Sequence, residues 1–457
     1  MVCPSVRGRN SRPDFEYIYY QREATVFMLN FSHSPQPNIR AEMERPEFWL
    51  ERFNGSSKVI LDSPAIAAFN RKILHSLSGT VYDLASYPDS ISKADLKAML
   101  VTSGFPQGPV YGEGRLLTPD DFSQLLSQFN PDAIPENNTV AYGFTLRRAN
   151  IRAFPTTLRC TVEPDDTEFD LFQETALNPA EPLLILFGSA AKDWYYIQSA
   201  TFRGWVASKD IVRADSRGSW LSYCQNRNFL VIVASQLKVS RPDETGNNEE
   251  LHFEMGAKLP LESPERSPES GDFRVKIPAR DMAGRLYFQT VQIPRSEAVN
   301  RGYLPYTGAN IIIQAFKMLG MRYGWGGAHE SVDCSSLTMN IYRSFGLQFP
   351  RNSGKQERLP GKAVHFKTQE KEAVRTGRLN RLLPGAILNL PGHVMLYLGE
   401  RHGSHFVIHA LSSYGVPDSR GGYVKTYFLK VCVTGLDLIR SNGQTLLASL
   451  TSGRNIE

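Results

Sequence analysis

One cysteine governs the C-terminal third of this 457-residue chain. Residues 323–336 read Y-G-W-G-G-A-H-E-S-V-D-C-S-S, a glycine-rich aromatic turn that delivers Cys334. Helical periodicity follows at once, with Leu337, Ile341 and Phe345 recurring every four residues and Gly346 as a natural stop. Cys334 is therefore expected in the first turn of a helix, where free N–H groups and the macrodipole favour the thiolate. A thiolate is the nucleophile that peptide hydrolysis by cysteine requires. A free cysteine is also a common buried core residue, so Cys334 alone leaves both readings open.

The downstream sequence separates them. Residues 388–399 read L-N-L-P-G-H-V-M-L-Y-L-G: a short strand, a Pro-Gly turn and a second strand opening with His393. Val394, Leu396 and Leu398 alternate with His393, Met395 and Tyr397, which puts the histidine on the face opposite the three aliphatics. A third strand, H-F-V-I-H-A, carries His409 among apolar neighbours. A cysteine on a helix followed by two strand histidines is the order of a papain-like site. His393 would take the thiol proton, and His409 would hold its imidazole in the right tautomer. His405 is the rival third member, since it also follows the His393 strand. His329, His365 and His402 stand in loops without a paired motif and are expected to be exposed, as is His405 if it has no catalytic role.

Tyr323-Gly324-Trp325-Gly326-Gly327, Asp333-Cys334-Ser335, Pro350-Arg351 and Gly392-His393-Val394 together resemble the NlpC-type cysteine peptidase family of cell-wall endopeptidases. Members cleave murein peptides, commonly between the γ-carboxyl of D-glutamate and a diamino acid. The resemblance covers roughly residues 306–433. It implies Cys334 as nucleophile, His393 as base and His409 as third polar member. It also implies a substrate pocket lined by Tyr323, Asp333, Ser335 and Ser353, with the oxyanion held by the Cys334 N–H and the Tyr323 hydroxyl. Ser336 stands where the family usually has Gly, and Pro384-Gly385-Ala386-Ile387-Leu388 replaces the usual Gly-Asp pair before the strand. Neither departure removes a reacting group.

The length suggests about three domains. With 41% hydrophobic and 21% charged residues, the composition is that of a globular chain, neither disordered nor membrane-embedded. A net charge of +5 over this length, without a basic run, gives no footprint for nucleic acid. The five cysteines are scattered without metal spacing, so neither a disulfide framework nor a metal or other cofactor is expected. No apolar run reaches membrane-spanning length, and Arg7, Arg9 and Arg12 precede no signal-peptide core. On the sequence as given the expectation is a cytoplasmic monomer, with the periplasm or cell envelope as the alternative location.

The fold class expected is α+β, in five segments. Residues 1–40 lack periodicity and read as a poorly ordered leader. Residues 41–139 read as a helical cap, with Ser63-Pro64, Ser92 with Asp95, and Thr118-Pro119 opening its helices. Residues 140–215 turn to short strands and are similar to the bacterial SH3-like barrels that accompany these peptidases, with Trp205 in the barrel core. Residues 226–300, interrupted by a charged Ser/Pro loop at Glu262 to Asp272, give a weaker likeness to a second such barrel. Residues 305–450 form the papain-like domain, entered by a helix that Thr307 caps and Gly320 ends.

The expected function is a cysteine endopeptidase acting on murein peptides. In relatives the first barrel blocks one end of the groove, which leaves room for a substrate with a free N-terminal L-Ala. Asp333 would then meet that ammonium, cap the Cys334 helix, or do both. The alternatives are a thiol-dependent amidase or acyl transferase, or a catalytically dead wall-binding scaffold.

Overall fold

The stretch from residue 41 to 139 divides between two hydrophobic cores instead of building one. In the computed structural model, which describes residues 33–101, 106, 108–243, 245–262 and 271–457, the helix Ser63–Ser76 buries Phe69 and Ile73. These two join Trp49, Tyr306, Ile312 and Leu337, a core shared with the C-terminal region. The helix Lys93–Val101 instead sends Leu96 and Leu100 to Phe129, Phe144 and Trp205 of the following β region. The helices exist as the sequence indicates, but the self-contained cap does not, because each apolar stripe is covered by a different neighbour. Thr118 and Asp121 close a capping box at Pro119–Ser127. Asp62 rather than Ser63 caps the helix Ser63–Ser76.

The first β region is a seven-stranded antiparallel sheet. Its spatial order is Ile211–Arg213, Ala141–Thr145, Pro182–Gly188, Trp194–Gln198, Arg203–Ala207, Ala149–Arg152 and Gln173–Leu177. Trp205 and Tyr196 bury one face, while Ile151, Ile185, Ile197 and Val206 bury the other. Among the described residues the sheet does not close into the expected barrel, and Gln173–Leu177 is left as an edge strand. The second β region is likewise no closed barrel. It is a three-stranded sheet (Lys258–Pro260, Phe229–Ile232, Val299–Arg301) with two hairpins, Gln236–Pro242 with Asn248–Glu254 and Phe273–Arg280 with Leu286–Ile293. Its Leu230, Phe253, Val275 and Ile277 belong to the same core as Trp205.

The C-terminal region is a six-stranded antiparallel sheet in the order Ala363–His365, Ser452–Arg454, Ile387–Leu390, His393–Arg401, Ser404–Pro417 and Tyr423–Gly435. Thr307 caps the entering helix Gly308–Lys317. Both faces of the sheet are covered. Val394, Leu396 and Leu398 pack against Leu337 and Ile341 of the helix Cys334–Arg343, whereas Met395, Tyr397, Val407 and Leu411 form a second layer with Leu379 and Leu447. This accounts for the almost unbroken apolar run of the His393 strand.

Residues 33–40 of the expected leader are anchored here. Ile39 is buried, and Gln36 accepts a hydrogen bond from the Gly435 N–H at 2.7 Å. Residues 1–32 of that leader, and 263–270 of the charged loop, lie outside the described residues. No helix among the described residues is long and apolar enough to cross a membrane. The whole is a mixed α/β chain.

Candidate active site

The helix Cys334–Arg343 starts where Asp333 caps it. One oxygen of Asp333, Oδ1, accepts from the N–H groups of Ser335 and Ser336 (3.1 and 2.9 Å), from the Ser335 hydroxyl (3.0 Å) and from Arg351 (3.0 Å). The other, Oδ2, accepts from Gly326 N–H at 3.1 Å and from Arg351 at 2.5 Å. Ser336 completes the cap, its hydroxyl accepting from the Asp333 N–H at 2.9 Å. The serine in place of the family's glycine thus has a structural use. The first-turn N–H of Cys334 takes no acceptor among the described residues, as is usual for the first N–H groups of a helix.

The turn before the helix is shaped by its neighbour. Gly326 and Gly327 have φ of 58° and 78°. A Cβ on Gly326 would lie 2.9 Å from the Gln173 carbonyl oxygen, and one on Gly327 would lie 3.0 Å from the Ala176 Cβ. Only glycine fits both the backbone conformation and the approach of the edge strand Gln173–Leu177. Gln173 donates to the Gly326 carbonyl (2.9 Å) and Arg148 to that of Gly327 (2.8 Å). The Thr175 hydroxyl accepts from Arg351 Nε at 2.6 Å. The first β region is therefore built into the wall beside the nucleophile.

The strand His393–Arg401 packs on the helix Cys334–Arg343, and Val394, one residue past His393, shares a buried core with Cys334. His393 Nε2 lies 2.7 Å from His409 Nδ1, and His409 Nε2 lies 3.0 Å from Thr434 Oγ1. His409 and Thr434 are both fully buried, while His393 is half-buried. With Nε2 engaged, His393 keeps Nδ1 for a proton from elsewhere. His405 does not join this chain: it bonds the Tyr397 hydroxyl at 2.6 Å, and its Nε2 has no partner. It is buried in the strand Ser404–Pro417, contrary to the exposure its setting suggests, because that strand is covered on both faces.

Burial decides the resting protonation. It pushes the Cys334 thiol up to about 12, the Asp333 carboxylate adding to the effect and the Val394 N–H opposing it. It pushes His393 down to about 4, helped by Arg440 and opposed by Asp333. His409 is driven down by burial and then by His393. Burial likewise opposes the charge of Asp333, but Arg351 outweighs it and holds the carboxyl below its ordinary range. Desolvation thus opposes the thiolate that the helix N-terminus favours.

The residues singled out in sequence separate into two groups. His393 pairs with His409, and Cys334 shares a buried core with Val394, the residue after His393. Neither the hydroxyl of buried Tyr323 nor that of half-buried Ser353 has a hydrogen-bond partner among the described residues. Asp333 and Ser335, by contrast, are committed. Arg351 occupies both oxygens of Asp333 and also donates to the Ser335 hydroxyl at 2.8 Å. Both Asp333 oxygens are thus taken up within the protein, and the helix-capping half of its expected role is the one these bonds display. Sequence reasoning passed over Arg351 as a partner of Asp333, and Thr434 altogether. It also missed Gln356, which ties the Ser353 helix to the Ser335 and Pro350 carbonyls (2.8 and 2.9 Å). Among the described residues no cluster of His, Cys, Asp and Glu is arranged to hold a metal.

Two stretches of the chain match known protein families. Residues 320–433 match the NlpC/P60 family and residues 160–207 an SH3 domain of the SH3b1 type. The gamma-D-glutamyl-L-lysine dipeptidyl-peptidase of Bacillus cereus is 32% identical over 126 residues, covering 27% of this chain and 36% of that protein. The match therefore spans about a third of that relative's length. An NlpC/P60 endopeptidase from Photobacterium damselae subsp. piscicida superimposes over 87% of this chain and 93% of its own, with a TM-score of 0.67 and 18% identity. That likeness shows a shared fold across most of the molecule. The C-terminal region is thus similar to the NlpC/P60 family of cysteine peptidases, and part of the first β region to an SH3 domain of the SH3b1 type.

Proposed function

We propose that the protein is a cysteine endopeptidase of murein peptides that cuts between the γ-carboxyl of D-glutamate and a diamino acid, in peptides with a free N-terminal L-Ala. The observation that carries the reading is the His393–His409 pair on strands whose core holds Cys334 beside Val394. Cys334 attacks the γ-carbonyl carbon while its proton passes to His393 Nδ1. The developing oxyanion is held by the unpaired Cys334 N–H and the Tyr323 hydroxyl, a contribution of roughly 3 kcal/mol for one donor. As the C–N bond breaks, His393 returns the proton to the leaving amine. It then deprotonates the water that releases the acyl group from sulfur.

Two features support the free-amine part. The edge strand Gln173–Leu177 stands against the turn leading to Cys334 and would wall off that side of the site. The Bacillus cereus relative is named a dipeptidyl-peptidase, an activity that counts two residues from a free amino end. The test is a rate comparison on L-Ala-γ-D-Glu-diamino acid peptides, free and N-acetylated. The free peptide should be cut and the acetylated one spared, and equal rates would remove the N-terminal requirement.

A further inference from the structure

The His393–His409 pair has a third partner, which lies on the next strand. Val407 pairs with Thr434 and His409 with Cys432, so Thr434 shares the face of His409. The end of its strand is pinned on both sides, by the Gly435 N–H on Gln36 and by the Leu436 N–H on the His405 carbonyl at 2.9 Å. Neither Thr434 nor His409 is reached by solvent, so no bulk water can replace a missing partner.

When the thiol proton arrives on His393 Nδ1, that ring carries protons on both nitrogens. Its Nε2–H then donates to His409 Nδ1, which leaves the His409 proton on Nε2, facing Thr434 Oγ1. The opposite direction, with the threonine donating, puts the His393 proton on Nδ1 and blocks it as a base. We propose that Thr434 is a positioning residue for the base: its hydroxyl oxygen accepts the His409 Nε2–H and so supports the His393 imidazolium formed during attack. A single proton moves, from sulfur to Nδ1, and the two relay hydrogens stay on their nitrogens. The charged groups around the reacting pair are Asp333 and Arg351 beside Cys334 and Arg440 beside His393, and none of them hydrogen-bonds Thr434.

The inference rests on the thiol-peptidase reading but not on its substrate, so the test needs no substrate. Alkylation of Cys334 by iodoacetamide is followed across pH in the full chain, with peptide mapping to separate it from the other cysteines. Thr434→Val leaves the His409 N–H buried and unpaired in the imidazolium state. It should slow alkylation near neutral pH roughly tenfold or more and move the midpoint to higher pH. Thr434→Ser keeps the acceptor and should follow the wild-type curve. A Val variant that matches wild type, or a Ser variant as slow as Val, would overturn the proposal. Loss of alkylation in Thr434→Val, in a protein that cuts no murein peptide, would uphold this inference while refuting the substrate assignment.

Discussion

The imidazoles of His393 and His409 meet at 2.7 Å between Nε2 and Nδ1, with their ring planes 67° apart. His409 is wholly buried and sits mid-strand, so in the proposed mechanism it fixes the tautomer of the half-buried His393. His409→Ala should lower turnover by roughly a hundredfold or more. His405→Ala should leave turnover near wild type and lower only the melting temperature, because His405 contacts Tyr397 and not His393. Steady-state kinetics on both variants decide the matter, and the reverse pattern would reassign the third member.

Asp333 and Arg351 form a buried, two-pronged ion pair, each side chain less than a tenth exposed. Asp333→Asn leaves a guanidinium without its counter-charge in the core, a loss of about 3–5 kcal/mol. Denaturant unfolding should show this as a lower midpoint. An unchanged midpoint with a lost preference for free amines would restore Asp333 as an ammonium receptor.

The Cys334 helix and the His393 hairpin were legible because helical spacing, glycine stops and a Pro-Gly turn are local signals. Which wall each apolar stripe meets is not local. The helices at Ser63–Ser76 and Lys93–Val101 look alike in pattern, yet they pack into different cores. The same holds for charge: a helix start favours a thiolate in any sequence, but the burial that opposes it depends on residues brought in by folding, such as Val394. Arg351 was visible as part of a motif, whereas its grip on Asp333 and Thr175 appears only after folding. Thr434 carries no motif at all, and only the register of the last two long strands brings it to His409.

Gly326→Ala tests the contact between the two regions. The new methyl group would meet Gln173 in a backbone conformation that alanine resists, so stability should fall by more than about 1 kcal/mol and activity with it. Gly377 in the helix Glu372–Leu379 has open space around it. Gly377→Ala should be neutral or slightly stabilising, and thermal melts of the pair provide the comparison.

Acid should weaken the fold through the same histidines. His393 takes its proton near 6.5 when unfolded and only near 4 when folded, so the unfolded state binds more protons between those values. Its burial costs nothing above about pH 6.5 and costs progressively more stability as the pH falls to 4. His393→Gln should flatten this part of the stability profile. Arg440→Gln should raise the folded value and narrow the window, since Arg440 is the second cause of the depression. A stability profile in either variant identical to wild type between these pH values would contradict the assignment.

The central claim is that the Cys334 thiol cleaves a murein peptide at the γ-D-glutamyl bond. Purified protein incubated with L-Ala-γ-D-Glu-L-Lys and with its meso-diaminopimelate counterpart, followed by mass spectrometry, tests it directly. Wild type should release L-Ala-D-Glu and the free diamino acid from at least one of the two, while Cys334→Ser, folded to the same melting temperature, should release neither. The same products from Cys334→Ser, or intact peptides after incubation with wild type, would contradict it.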